Sequence, residues 1–184
     1  LSRDKIIDSF YESNSFSFDD NEKMWKTNFN PEDYKRPIKL SYDLVDAKTK
    51  KKYLNKGDKV NFIIAQKLKD KNLNEILISN DEINGKYVAE EIKDSSGEII
   101  IKSGYDLTEE ILEKIITEKI KKIQLIHIDP INKGPYLLET LKIDKNSNKS
   151  EALNDIYKVL RPGEAPSLEV AEEVFNNLYF KKER

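Results

Sequence analysis

The chain has 184 residues, 38% of them hydrophobic and 36% charged, with a formal net charge of −2. That length allows one good core or two small lobes under a heavily solvated surface, and the near-neutral balance argues against a whole-chain electrostatic grip on nucleic acid. With no cysteine and one histidine, disulfides and thiolate catalysis are excluded, and an ordinary zinc site nearly so.

No apolar run approaches the roughly 20 residues a membrane helix needs. The start, Leu1-Ser2-Arg3-Asp4, has neither an initiator methionine nor a signal-peptide pattern, and the end at Lys181-Lys182-Glu183-Arg184 is abrupt. This reads as a piece excised from something larger.

Arg3 to Glu12, with Ile6, Ile7, Phe10 and Tyr11 on one stripe and Ser2 or Asp4 as cap, predicts a short amphipathic helix. Phe16 and Phe18, then Met24-Trp25, then the alternation Ile38, Leu40, Tyr42, Leu44 read as strands around a loop at Asn30-Pro31-Glu32-Asp33. Trp25 is expected in the core, the other reading being a base-stacking platform.

The middle of the chain repeats itself. Leu54-Asn55-Lys56-Gly57 followed by Val60, Ile64, Leu68, Leu73, Ile76 and Ile78 aligns, at an offset of 47 residues, with Ile101-Lys102-Ser103-Gly104 followed by Leu107, Ile111, Ile115, Ile120, Ile123 and Leu125. Each unit reads as strand, glycine turn, helix, strand. Val60, Ile63, Ile64 and Leu68 mark the apolar face of one helix, and Leu107, Ile111 and Ile115 that of the other, with Asp106 and Glu109 as cap of the second. Two units with one apolar face each should pack together or against a shared sheet. Residues 45–75 carry a net charge of +5 and residues 81–118 a net charge of −7. Mutual pairing, a basic face toward DNA and two merely solvated faces all fit this contrast.

His127 sits between Ile126 and Ile128 at strand alternation and should face away from them, toward the surface. A lone histidine builds no triad. Lys133-Gly134-Pro135 lacks phosphate-loop spacing, and Asp19-Asp20 is not a two-metal cluster. Asp144 to Asn148 with Asp155 imitates an EF-hand start. Lys149, however, stands where that loop needs glycine, so the stretch reads as a polar turn leading a helix.

Helices are expected over Tyr136 to Leu141, over Ser150 to Leu160 (stripe Leu153, Ile156, Tyr157, Leu160) and over Ser167 to Phe180 (stripe Ala171, Val174, Phe175, Leu178). The last two should form a hairpin, with Phe175, Tyr179 and Phe180 serving its core. Between them lies Arg161-Pro162-Gly163-Glu164-Ala165-Pro166. Pro162 stops the first helix at Arg161, Pro-Gly fits a type II turn, and Ser167 with Glu169 starts the next helix. A stiff, exposed loop with one arginine and one glutamate at its tip should result.

Tyr157-Lys158-Val159-Leu160-Arg161-Pro162-Gly163-Glu164, the segment Leu168 to Phe180, and Gly134-Pro135-Tyr136-Leu137-Leu138-Glu139-Thr140-Leu141 together closely resemble the β subunit of bacterial DNA-directed RNA polymerase, in its lobe domain. Arg161, Pro162, Gly163 and Glu164 match that family's gate loop, except that Ala165 stands where proline is usual, which leaves the turn intact and loosens the segment before Pro166. Asn84 to Ala89 and Ser96 to Ile100 resemble the linker of a lineage-specific insertion built from β-β′ module repeats.

The resemblance implies an α+β chain. A lobe portion at 1–18, an N-terminal helix, precedes an α/β insertion at 19–129, with repeats at about 45–79 and 87–127. A second lobe portion follows at 130–184, carrying the hairpin and its turn. It implies a non-catalytic part of a transcribing nucleotidyltransferase, walling the downstream DNA channel and gating DNA entry. Implied partners are the β′, α and σ subunits, DNA, and regulatory proteins on the insertion; no membrane is involved. Magnesium would be held by another subunit and no cofactor by this piece, and the location would be cytoplasmic, at the nucleoid. A free-standing module docking a regulatory partner through its repeats is the alternative. A small hydrolase lacks its nucleophile arrangement.

Overall fold

Ser2 opens the first helix: its Oγ accepts from the Lys5 N–H, and Asp4 lies in the first turn of α1 (Arg3–Phe10). The computed structural model describes residues 2–129, 134–165 and 167–181. The readings that involve Pro130, Lys133 and Pro166 lie outside the described residues. Only Ile7 of the α1 stripe is fully buried, and Phe10 is exposed.

Next come β1 (Ser13–Asp19) and β2 (Met24–Asn28), a hairpin that sets Phe18 opposite Trp25. A 3₁₀ turn, Pro31–Tyr34, follows. The Ile38–Leu44 alternation yields only β3 (Ile38–Lys39) and β4 (Leu44–Val45), with irregular backbone between them. The first repeat continues through β5 (Lys52–Leu54), β6 (Lys59–Val60), α2 (Phe62–Asp70) and β7 (Glu75–Ile78). After α3 (Asn80–Ile83), the second repeat has β8 (Ile92–Lys93), β9 (Ile99–Ile101), α4 (Glu109–Thr117) and β10 (Lys122–Ile126). Then come α5 (Tyr136–Ile143), α6 (Lys149–Leu160) and α7 (Leu168–Tyr179). The class is α+β, with seven α-helices among the described residues and small antiparallel sheets.

The main sheet runs β10-β1-β2-β7, antiparallel throughout. The repeats thus share one sheet, each giving its last strand to one edge, while the β1–β2 hairpin fills the centre. Sequence reading had no means of finding that arrangement, because β1 and β10 are more than a hundred residues apart.

The duplication is visible in the backbone. β5 and β9, α2 and α4, and β7 and β10 each start 47 residues apart. Asn61 and Thr108 are the matching N-caps, accepting from the N–H of Ile64 and Ile111. Asn72 (φ 67°) and Lys119 (φ 55°) are the matching left-handed residues that end each helix. Leu73 N–H to Leu68 O and Ile120 N–H to Ile115 O then close both ends at 3.1 Å.

Three details differ from expectation. Val60 lies in β6, ahead of α2, and Ile63 is 63% exposed while Ala65 and Leu68 are buried. Ile63 and Ala65 are two positions apart, about 200° around a helix, so burying Ala65 turns Ile63 outward. In α4 the buried pair is Leu112 and Ile115, with Ile111 half-buried and Leu107 preceding the helix. Thr108, not Asp106, caps α4; the Asp106 carboxylate accepts from Lys142 Nζ instead.

The largest core packs the sheet against α2 and α4 and contains Trp25, Phe29, Leu44, Leu73, Ile83, Leu107, Ile115 and Leu125. A smaller one, with Ile7, Ala89, Ile126 and Leu138, joins α1 and α5 to the second repeat. Gly104 is central to it. Its φ is +78°, and a Cβ there would lie 3.0 Å from Ile7 Cδ1 and 3.6 Å from Leu138 Cδ2, so glycine serves both backbone angle and close approach. The described residues form two compact units divided between Lys142 and Ile143. The boundary read at 18/19 falls inside β1.

Candidate functional site

The second unit is the α6–α7 hairpin. Asn148 caps α6 by accepting from the Glu151 N–H at 3.0 Å, and the Glu151 carboxylate reaches back to the Ser147 N–H at 2.8 Å. Asp144 Oδ1 accepts from the Asn146 N–H, and Asp155 lies within α6, 3.6 Å from Lys158 Nζ. The EF-hand-like stretch is therefore a polar turn running into a helix. Leu153, Tyr157 and Ala171 are buried at the helix contact, with Val174 and Phe175 packed against them. Tyr179 and Phe180, expected in the core, are 61% and 70% exposed. They flank Phe175, with ring centroids 4.8 and 5.9 Å away, because two helices alone bury a single narrow stripe.

At the end of α6 the Arg161 N–H still donates to Tyr157 O at 2.8 Å. Pro162 has no N–H to continue the ladder. Gly163 takes φ +91°, and Glu164 N–H closes on Arg161 O at 3.4 Å. This is the expected type II pattern of Pro then Gly. A Cβ at Gly163 would meet nothing within 4 Å, so the glycine answers a backbone requirement alone. Ser167 Oγ accepts from the Val170 N–H and Glu169 lies in the first turn of α7.

Arg161, Pro162, Gly163 and Glu164 are all exposed. Arg161 Nη1 stands 3.8 Å from Glu164 Oε2, with both side chains more than half exposed. Glu164 Oε2 also accepts from the Tyr157 hydroxyl at 2.7 Å. That carboxylate, followed by burial, raises the Tyr157 pKa above its ordinary value. Tyr157 is thus both core residue and anchor of the tip. The helical stripe revealed its first role; the second, seven residues away in sequence, left no periodic signal.

The other candidates lie apart from the turn. Trp25 is fully buried and donates from Nε1 to Asn80 Oδ1 at 2.9 Å, with Phe18 edge-on at 5.1 Å. His127 donates its N–H to Glu12 O and borders a cavity of about 250 Å³ lined also by Phe16, Phe29, Asp33, Tyr34 and Tyr42. Asp19 accepts from Lys26 Nζ at 2.7 Å and lies 3.6 Å from Lys50 Nζ. Among the described residues no group of three His, Cys, Asp or Glu could hold a metal ion. No helix among them is long and apolar enough to cross a membrane.

No family model matches the chain. Individual relatives do. It is 37% identical over 182 residues, 98% of its length, to the DNA-directed RNA polymerase subunit beta of Rhizobium leguminosarum bv. trifolii. Identity is 38% over 185 residues for the subunit of the same name in Rickettsia conorii and 36% over 196 residues for that of Cereibacter sphaeroides, each match spanning the whole chain. The chain spans about 13% of the length of the first two and 14% of the third. From its first helix to its last, it is homologous to one stretch of the DNA-directed RNA polymerase subunit beta family.

Proposed function

We propose that the chain is the lobe portion of an RNA polymerase β subunit, interrupted over about residues 19–129 by a lineage-specific insertion of two repeats. In this reading it contributes to DNA-directed RNA synthesis mechanically, by walling the downstream DNA channel, and supplies no catalytic group. The supporting observation is the Arg161–Glu164 turn, held in shape by Pro162 and Gly163, exposed between α6 and α7, in a chain whose whole length aligns with β subunits.

Arg161 contacts a phosphate or an unpaired base as DNA enters. Glu164, held by Tyr157 and facing Arg161, limits the positive field to the guanidinium and so keeps that contact local. β′, α and σ are the partners, DNA is the ligand, and the catalytic magnesium belongs to another subunit. The location is cytoplasmic, at the nucleoid. The free-standing interaction module gains nothing from the comparisons, since the aligned relatives are much longer subunits.

The test is Arg161→Ala in the intact polymerase. Shorter open-complex lifetime or shifted start-site choice is expected. Unchanged values of both remove Arg161 from DNA gating.

A further inference from the structure

We infer that the exposed surface made by β3, β6 and the first turn of α2 docks an acidic protein segment carrying apolar anchors. Ile38 is 42%, Phe62 37% and Ile63 63% exposed. Ile38 pairs with Val60 across the ribbon and Lys39 with Lys59, so two lysines stand directly opposite each other. Like charges so placed repel, and neither takes part in an ion pair among the described residues. Lys56, in the turn between β5 and β6, is exposed too. The nearby acids are engaged otherwise: Asp58 accepts from the Asn55 N–H, while Asp43 accepts from the Lys56 N–H and pairs with Lys52.

The internal duplication is the control for this reading. At the same offset of 47, Phe62 and Ile63 correspond to Glu109 and Glu110, acids in the first turn of α4, where the helix dipole favours them. α4 folds and buries Leu112 and Ile115 just as α2 buries Ala65 and Leu68. The fold therefore does not require apolar side chains at 62 and 63. Lys56 and Lys59 correspond to Ser103 and Asp106. In the second repeat both are engaged by the chain itself: Ser103 is 3% exposed and donates to Asp4 of α1, and the half-exposed Asp106 accepts from Lys142 of α5. In the first repeat the corresponding side chains, Lys56 and Lys59, are exposed and form no ion pair among the described residues, while Leu40 and Asp43 bond only the backbone of the turn.

The occupant follows from complementarity. Three exposed lysines beside the exposed Phe62 and Ile63 select carboxylates flanking Leu- or Ile-like anchors. A nucleic-acid ligand fits less well, since Phe62 alone of the exposed apolar residues here offers a stacking face and the neighbouring repeat carries −7.

The test uses the full-length protein that contains this chain. The probe is a fluorescein-labelled amphipathic helical peptide of about 18 residues, Leu on one face and Glu elsewhere, with a twin carrying Lys for Glu. Anisotropy is read for wild type, Phe62→Glu/Ile63→Glu and Lys39→Glu/Lys59→Glu. Glutamates at 62 and 63 copy the second repeat, so α2 should persist, and circular dichroism checks this. Expected are binding of the Glu peptide, weakening by at least about tenfold in each double variant and with added salt, and no comparable binding of the Lys twin. No binding to wild type, equal binding to the variants, or equal binding of the twin would overturn the inference. So would a labelled DNA strand that loses affinity in the variants while the Glu peptide does not.

Discussion

Lys142 is where α5 is tied to the second repeat. Its Nζ lies 2.8 Å from Asp106 Oδ1 and 3.1 Å from Glu139 Oε1, and 5.0 and 5.7 Å from the ring centroids of Tyr87 and Tyr105. Lys142→Met keeps the stem and removes the charge. Each ion pair with a half-exposed carboxylate contributes about 0.2–1 kcal/mol, and the cation–π contacts about 0.5–1 kcal/mol. The loss should total about 1–3 kcal/mol, or a fall of very roughly 3–8 °C in the melting temperature of a unit this size.

Thermal unfolding of the chain measures this, and a double-mutant cycle with Asp106→Asn isolates the pair at about 0.5–1 kcal/mol. The pH dependence has a definite sign. Bonds to Lys142 hold the Asp106 and Glu139 carboxyls below their usual range, so their contribution is complete above the ordinary carboxylate pKa and disappears as pH falls below about 4. Burial opposes the charge on Lys142, but its two carboxylate bonds outweigh that and raise its pKa, so the alkaline loss begins only above the usual lysine range. An unchanged melting temperature for Lys142→Met, or a cycle that is simply additive, would refute the argument.

Asn80→Ala strands the buried indole N–H of Trp25 and should cost about 1–3 kcal/mol; Trp25 is the sole tryptophan, so its fluorescence in urea reports the midpoint directly. Ile115→Ala opens a cavity under α4 and should cost about 2–5 kcal/mol, with Leu68→Ala, its counterpart in the first repeat, in the same range by the same urea titration. Asp19, bonded to Lys26, has its pKa lowered to about 2, so its contribution is present above the ordinary value and lost as pH falls through about 2; NMR titration should find that value in the wild type and a rise in Lys26→Ala. Gly163→Ala forces a Cβ into a left-handed conformation and should destabilise the α6–α7 hairpin by about 1–2 kcal/mol, seen as faster amide exchange in α6 and α7 with exchange in the first unit unchanged.

Several features were legible because their causes are local. Ser2 and Ser167 each bond the backbone within three residues, and Pro162-Gly163 permits few turns. The repeat was legible because its glycine turn and apolar positions recur at one spacing. Apolar residues misled where burial depends on what arrives from elsewhere. Ile63 and Phe180 are as hydrophobic as their buried neighbours, yet nothing among the described residues covers them. At Asp106 a competing partner decided the outcome, since Lys142 takes the carboxylate and leaves the cap to Thr108.

By itself the sequence determined where α1 and α7 start and where α6 stops, that two 47-residue-spaced units share one design, and that Arg161 and Glu164 sit on a Pro-Gly turn. Each rests on contacts between residues near in the chain. Only the tertiary structure decided that the β1–β2 hairpin separates the two repeats within one sheet, that α1 and α5 engage Ser103 and Asp106 of the second repeat while the corresponding Lys56 and Lys59 of the first stay exposed, and that Tyr157 holds Glu164. Strand alternation names a strand's inner face but not its partner, and side chains that meet through space leave no period in the sequence.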